Sequence, residues 1–191
     1  LASQNAHKAK EMKALLGDLD VELCSLKDLG DLDDVIEDGS SFFENAQIKA
    51  RYFAKKHGMI TISDDSGLEV YALAMKPGIY SARYSGKGDS ENNIKLLFDM
   101  EGITDRRARF VSAIALSYPN GKTYHFEGVI EGLILTELRG SGGFGYDPLF
   151  YIPSIQKTFA EMESSVKNQI SHRAIALKRL KEALHEIIDY E

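Results

Sequence analysis

RARFVSAIALSYPNGKTYHFEGVIEGLILTEL, residues 107–138, is two long alternating runs joined by the turn Pro119-Asn120-Gly121-Lys122. Alternation at period two puts every second side chain on one face, and Asn-Gly is a strong turn signal. The stretch therefore predicts a β-hairpin. Upstream, Ala9, Met12, Leu15 and Leu16 recur at helical spacing before Gly17, which predicts a first helix. VELCSL, residues 21–26, alternates as a strand, and the acidic linker KDLGDLDDVIEDG leads to a second helix over about 41–57, closed by Gly58. MITIS, residues 59–63, reads as a short strand, residues 90–100 as a helix, and about 171–189 as a last helix with Leu177, Leu180, Leu184, Ile187 and Ile188 on one face. Strands alternating with helices predict an α/β fold with a sheet flanked by helices, and the long hairpin that follows suggests two lobes with a cleft between them, over a single domain spanning 1–191.

Composition limits what such a chain does. With 191 residues, 43% of them hydrophobic and 27% charged, it buries roughly 70% of its unfolded surface and holds a real core. The net charge of −6 argues against nonspecific binding to nucleic acid, whose phosphates require a basic footprint. A small polyanion is still admissible, because local potential and not net charge governs a cleft. No apolar run approaches the roughly 20 residues of a membrane span, and no leader is visible, so the expected compartment is the cytoplasm with no membrane partner. The single cysteine, Cys24, suits a reducing compartment. Because the chain opens on LASQN without Met, residue 1 is expected to lie within a first strand.

Five segments carry candidate chemistry. In TISDDSGLEV, residues 61–70, Asp64 and Asp65 are adjacent with no basic neighbour, so a divalent cation, a distant Lys or Arg, or open water must compensate them. Ser3, Asn5, Lys8 and Glu11 stand where a strand gives way to a helix, a ready site for an anion; a simple helix cap with a solvated lysine accounts for them as well. Asn45 and Lys49 share a helix face, by default a solvated one. GGFGYDP lets backbone approach a ligand and holds Phe144 and Tyr146 on a loop, where one could stack on a flat ring; a turn with packed aromatics is the other reading. Finally, Lys167, Ser171, His172 and Arg173 gather at the start of the last helix, where cations are disfavoured by the dipole and a nearby acceptor-rich ligand is called for.

Taken in order, SQNAHKAKE, FFENAQIKA, SDDSGLEV, PGIYSARYSG, RARF, GGFGYDPLF, TFAEM and KNQISHRAIAL resemble the inosine triphosphate pyrophosphatase family, the noncanonical purine nucleoside triphosphate pyrophosphatases, over the whole chain. The resemblance implies an elongated mixed sheet flanked by helices, in two lobes with a central nucleotide-binding cleft, and a homodimer that needs Mg²⁺ and hydrolyses ITP, dITP and XTP to the monophosphate and pyrophosphate, cleansing the nucleotide pool of deaminated purines. By the same resemblance Ser3, Asn5, Lys8 and Lys49 contact the triphosphate, Asp65 is the catalytic carboxylate, Ser66 lies beside the nucleotide, and Glu37 joins Asp65 as a metal contact. Phe144, Gly145, Tyr146, Asp147, Lys167, His172 and Arg173 are implied as nucleoside and base contacts. LAMKPG departs from the Gly-Gly that many relatives carry before the Pro, and LRGSGG lacks a frequent proline. Two alternatives stand: a pyrophosphatase for modified pyrimidine nucleotides, which SHR disfavours, and a catalytically silent nucleotide-binding module, which the intact Asp65, Lys49 and Glu37 speak against. In the resulting chemistry Mg²⁺ relieves the crowding at both aspartates, and Arg173 with His172 donates to a 6-keto oxygen.

Overall fold

The computed structural model describes residues 1–188. Five helices are placed among them: α1 (Ala6–Leu16), α2 (Phe42–His57), α3 (Asp89–Asp99), α4 (Ser164–Ile170) and α5 (His172–Ile188). The six strands are β1 (Thr61–Val70), β2 (Lys76–Pro77), β3 (Arg107–Ser117), β4 (Thr123–Ile134), β5 (Phe150–Ile152) and β6 (Lys157–Thr158), in one sheet of order β2-β1-β3-β4-β5-β6. The β1–β2, β4–β5 and β5–β6 pairings are antiparallel. The α/β class and the hairpin are as the sequence predicts. The turn closes through Tyr118 N–H to Lys122 O at 2.9 Å and Gly121 N–H to Tyr118 O at 2.9 Å. No helix among the described residues is long and apolar enough to cross a membrane.

Local signals account for the helix ends. Asn5 caps α1 by accepting from the His7 and Lys8 N–H groups, and Ser41 caps α2 by accepting from Glu44 N–H. Gly58 ends α2 in the left-handed region that a residue with a Cβ avoids. Asp189, the expected end of the last helix, lies outside the described residues.

Three expectations need correction. VELCSL forms no strand: its backbone bonds locally and to the chain start, with Ser25 N–H on Asp28 Oδ2 and the Leu1 amino group on Cys24 O. Residues 1–5 form no strand either, although Ala2 N–H reaches Ile62 O at 2.8 Å. MITIS is only the lead-in to a ten-residue strand that carries the two aspartates inside it.

The described residues divide into two compact units, one of residues 1–65, 112–128 and from 172 on, the other of residues 66–111 and 129–171. In the first, Met12 and Leu16 of α1 pack with Ala176, Leu177 and Leu180 of α5 onto Ile114 and Leu116 of β3. Ala115, on the opposite face of that strand, meets Ala46 and Ala50 of α2. Small side chains there let α2 approach closely. In the second unit Leu68, Val70, Leu96, Met100, Phe110, Phe150 and Phe159 form the core.

Candidate active site

β1 carries Asp64 and Asp65 in its middle, so the pleat sends the two carboxylates to opposite faces. That separation answers much of the crowding that their adjacency suggests.

Asp64 faces α1 and α5. Its Oδ1 accepts from Ser112 Oγ at 2.6 Å, and its Oδ2 lies 3.0 Å from Lys8 Nζ and 3.2 Å from Arg173 Nη2. Arg173, 1% exposed, also pairs through Nη1 with Glu11. Two acids and two bases thus neutralise each other in a buried cluster. Burial opposes ionisation of Asp64, but Arg173 and Lys8 hold its carboxyl well below the usual range. The compensation expected from a divalent cation is, at Asp64, supplied by the chain itself.

Asp65 faces α2. Asn45 Nδ2 donates to its Oδ2 at 3.2 Å, while Lys49 Nζ stands 3.9 Å from its Oδ1 and 3.2 Å from Glu37 Oε2. Lys49 also donates to Asp64 O at 3.0 Å, which fixes the ammonium between the two acids. Burial raises the Asp65 pKa; Lys49 and Lys8 pull it down, and Glu37 and Asp64 push it up. A carboxylate with a raised pKa and an ammonium beside it is a proton acceptor poised for general-base work.

Glu37 and Asp65 are the expected metal contacts, and among the described residues no group of three or more His, Cys, Asp or Glu gathers as a ready cage. A pair of hard oxygen donors fits Mg²⁺, which takes one or two carboxylates and fills its remaining positions with water and phosphate oxygen.

Of the other expected phosphate contacts, Asn5 caps α1, and Ser3 Oγ accepts from Asn5 N–H at 3.2 Å. The helix cap is thus as the simpler reading expects, but its solvated lysine is not: Lys8 is directed to Asp64. Ser66 follows Asp65 on β1 and is half-buried. Ser171 is buried in extended backbone between α4 and α5, and His172 is buried as the first residue of α5.

In the second unit the expected nucleoside contacts form a braced loop. Asp147 Oδ2 accepts from Phe144 N–H at 3.0 Å and from Lys167 Nζ at 2.7 Å. Gly143 has φ 70°, and a Cβ there would lie 1.9 Å from Asp147 Oδ2, so the turn needs glycine. The Gly145 amide is held from α3, its N–H on Asp89 Oδ2 and its C=O on Asn93 Nδ2, both at 2.8 Å. Lys167 Nζ lies 4.8 Å from the centroid of the half-buried Phe144 ring. Tyr146 is 3% exposed and donates its hydroxyl to Ser81 O at 2.7 Å, so it supports the loop from the core. Of the two aromatics, Phe144 is the less buried.

Sequence reasoning missed Ser112, named Glu11 without its partner Arg173, and gave Asn45 no role beyond sharing a face with Lys49. The four-residue spacing of Asn45 and Lys49 was the available signal, since it aims both at one strand position.

Fold and site together define an α/β protein with a buried acid–base centre on one strand and a glycine-braced aromatic loop. The chain belongs to the Ham1 family, whose profile matches residues 1–183, in agreement with the resemblance read from its motifs. It is 47% identical over its full length to a Desulfotalea psychrophila protein named dITP/XTP pyrophosphatase, 86% of which is covered. A Thermus thermophilus protein of the same name is 49% identical over 96% of this chain and 89% of its own length. Among solved structures, a HAM1 protein from Coxiella burnetii superposes with a TM-score of 0.88 at 45% identity, covering 97% of this chain and 96% of that one. The Staphylococcus aureus Ham1 protein gives 0.87 at 43% identity with the same coverage.

Proposed function

We propose that this chain hydrolyses noncanonical purine nucleoside triphosphates, namely ITP, dITP and XTP, to the monophosphate and pyrophosphate, and so clears deaminated purines from the nucleotide pool. The observation that carries the reading is Asp65: a buried carboxylate whose burial raises its pKa, held between Asn45 and Lys49 in a chain akin to enzymes named dITP/XTP pyrophosphatase.

In this mechanism Asp65 accepts a proton from the attacking water as the anhydride bond between the α- and β-phosphates breaks. Phosphoryl chemistry asks chiefly for positioning and charge neutralisation, and Lys49 and Lys8 supply fixed positive charge beside the acid. Ser3 and Asn5 at the start of α1 are assigned to the phosphate chain and Ser66 to its neighbourhood. Glu37 and Asp65 would hold Mg²⁺, which when bound screens the phosphate oxygens. Phe144 takes the base against its ring, with Gly145, Asp147 and Lys167 shaping that loop.

Base choice follows from donors and acceptors: hypoxanthine and xanthine offer a 6-keto acceptor where adenine offers an amino donor. His172 and Arg173 are the proposed donors; the guanidinium carries five N–H groups, and its contacts to Glu11 and Asp64 run through Nη1 and Nη2. A homodimer in the cytoplasm completes the proposal.

The test is a panel of ITP, dITP, XTP, ATP, GTP and dUTP assayed for pyrophosphate release with and without Mg²⁺. Rapid, Mg²⁺-dependent release from the three deaminated purine forms, with little from the rest, is expected. Preferential release from dUTP, or tight nucleotide binding with no release from any, would replace this reading with another.

A further inference from the structure

We propose that Asn45 is a positioning residue that sets the spacing between Asp65 and Glu37, an inference that rests on the roles proposed above for those two acids.

Asn45 is buried on α2 and is used at both ends of its amide. Nδ2 donates to Asp65 Oδ2 at 3.2 Å, and Oδ1 accepts from Gly39 N–H at 2.9 Å. The partners fix this orientation: a backbone N–H only donates and a carboxylate only accepts, so the amide fits one way round. Gly39 lies two residues beyond Glu37 on the acidic linker. A single amide therefore joins the strand that carries one acid to the linker that carries the other.

Lys49, one helical turn along α2, closes the opposite side, 3.2 Å from Glu37 and 3.9 Å from Asp65. Asn45 takes the Asp65 oxygen that Lys49 does not, which leaves Oδ1 turned toward the ammonium. The linker sits so close to α2 that a Cβ on Gly39 would lie 2.7 Å from Asn45 Oδ1 and 2.7 Å from Glu44 Cβ. Gly39 is thus the second half of the device: any side chain there lifts the linker off the helix and carries Glu37 with it. Buried amides that merely fill space have no need of two such partners on separate segments.

The experiment compares Asn45→Ala, Asn45→Asp and Gly39→Ala with wild type, using dITP turnover, thermal unfolding and hydrogen exchange at the Gly39 amide. Asn45→Ala should lower kcat about tenfold or more with KM nearly unchanged, the usual scale for losing a group that orients a site residue, and should speed exchange at Gly39. Asn45→Asp keeps an acceptor for Gly39 but offers Asp65 no N–H, so exchange should stay slow while kcat still falls. Gly39→Ala should lower kcat with Asp65 and Asn45 both intact. Folded Asn45→Ala and Asn45→Asp proteins that keep wild-type kcat, whatever their exchange, would overturn the proposal and leave Asn45 a structural pin. Asp65→Asn in the same assay separates the two claims: wild-type turnover there sinks the reading of Asp65, whereas an inactive Asp65→Asn beside a fully active Asn45→Ala sinks only the positioning role.

Discussion

At Asp65 burial and the lysines pull in opposite directions, and the outcome is a carboxyl that holds its proton more readily than usual. Asp65→Asn is isosteric and removes charge and basicity alone, so kcat for dITP should fall by a thousandfold or more, on the order of general-base and metal-contact losses combined, while the unfolding temperature hardly moves. Steady-state kinetics beside a thermal melt checks both halves. Lys49 and Lys8 separate differently. Lys49→Ala should weaken binding of triphosphate more than of monophosphate, as isothermal titration would record. Lys8→Ala should do the same and also lower stability, because Asp64 Oδ2 loses one of its two cations in a fully buried place. Much of this was legible in the sequence as a list of residues but not as a set of pairs. The ion pair of Arg173 with Glu11 spans most of the chain, and no local pattern encodes a partner so distant.

Among elements, the helices were readable because caps and apolar spacing are local, as Asn5, Ser41 and Gly58 show. VELCSL shows the limit. An alternating pattern becomes a strand only when another strand offers its ladder, and here none does. The aspartates of β1 show the converse, since poor strand formers are kept in a strand by tertiary pairing. The acidic linker is anchored: Asp31 Oδ2 lies 2.7 Å from Lys56 Nζ and 2.6 Å from His57 Nε2, and Asp31 Oδ1 accepts from Asp33 N–H. The Lys56 hydrogen bond, with that from the Asp33 backbone, lowers the Asp31 pKa to about 2. A depressed acid stabilises the fold above its unfolded value near 3.8 and loses that contribution as pH falls through 2. Acid unfolding followed by circular dichroism should therefore show wild type losing an increment between about pH 4 and pH 2 that Asp31→Asn lacks at every pH. At the turn after β1, Ala74 and Met75 adopt φ of 52° and 68°, in the left-handed region that favours glycine. Left-handed backbone costs a residue with a Cβ about 1–2 kcal/mol, partly offset by the freedom glycine loses on folding. Ala74→Gly and Met75→Gly should each raise the melting temperature by about 2–4 °C, and a fall in either would deny the strain.

For the molecule as a whole, a net charge of −6 coexists with a proposed polyanionic substrate because a few cations converge on β1, and local potential governs a site. Lys8 and Arg173 are consumed by Asp64 and Glu11, while Lys49 stands between Asp65 and Glu37. The neighbouring aspartates of β1 therefore have unlike fates in a living cell. Asp64→Asn strips the buried charge that Lys8 and Arg173 share, a loss of roughly 3–5 kcal/mol, which is a large part of what keeps an ordinary domain folded. Quality control would clear such a chain, and its steady-state level should drop several-fold on an immunoblot. Asp65→Asn should accumulate to normal levels and do nothing. A saturation screen scored by growth would record both positions as intolerant, and only a parallel abundance measurement would reveal that one allele is absent while the other is present and idle, able to occupy substrate and interfere with a wild-type copy beside it.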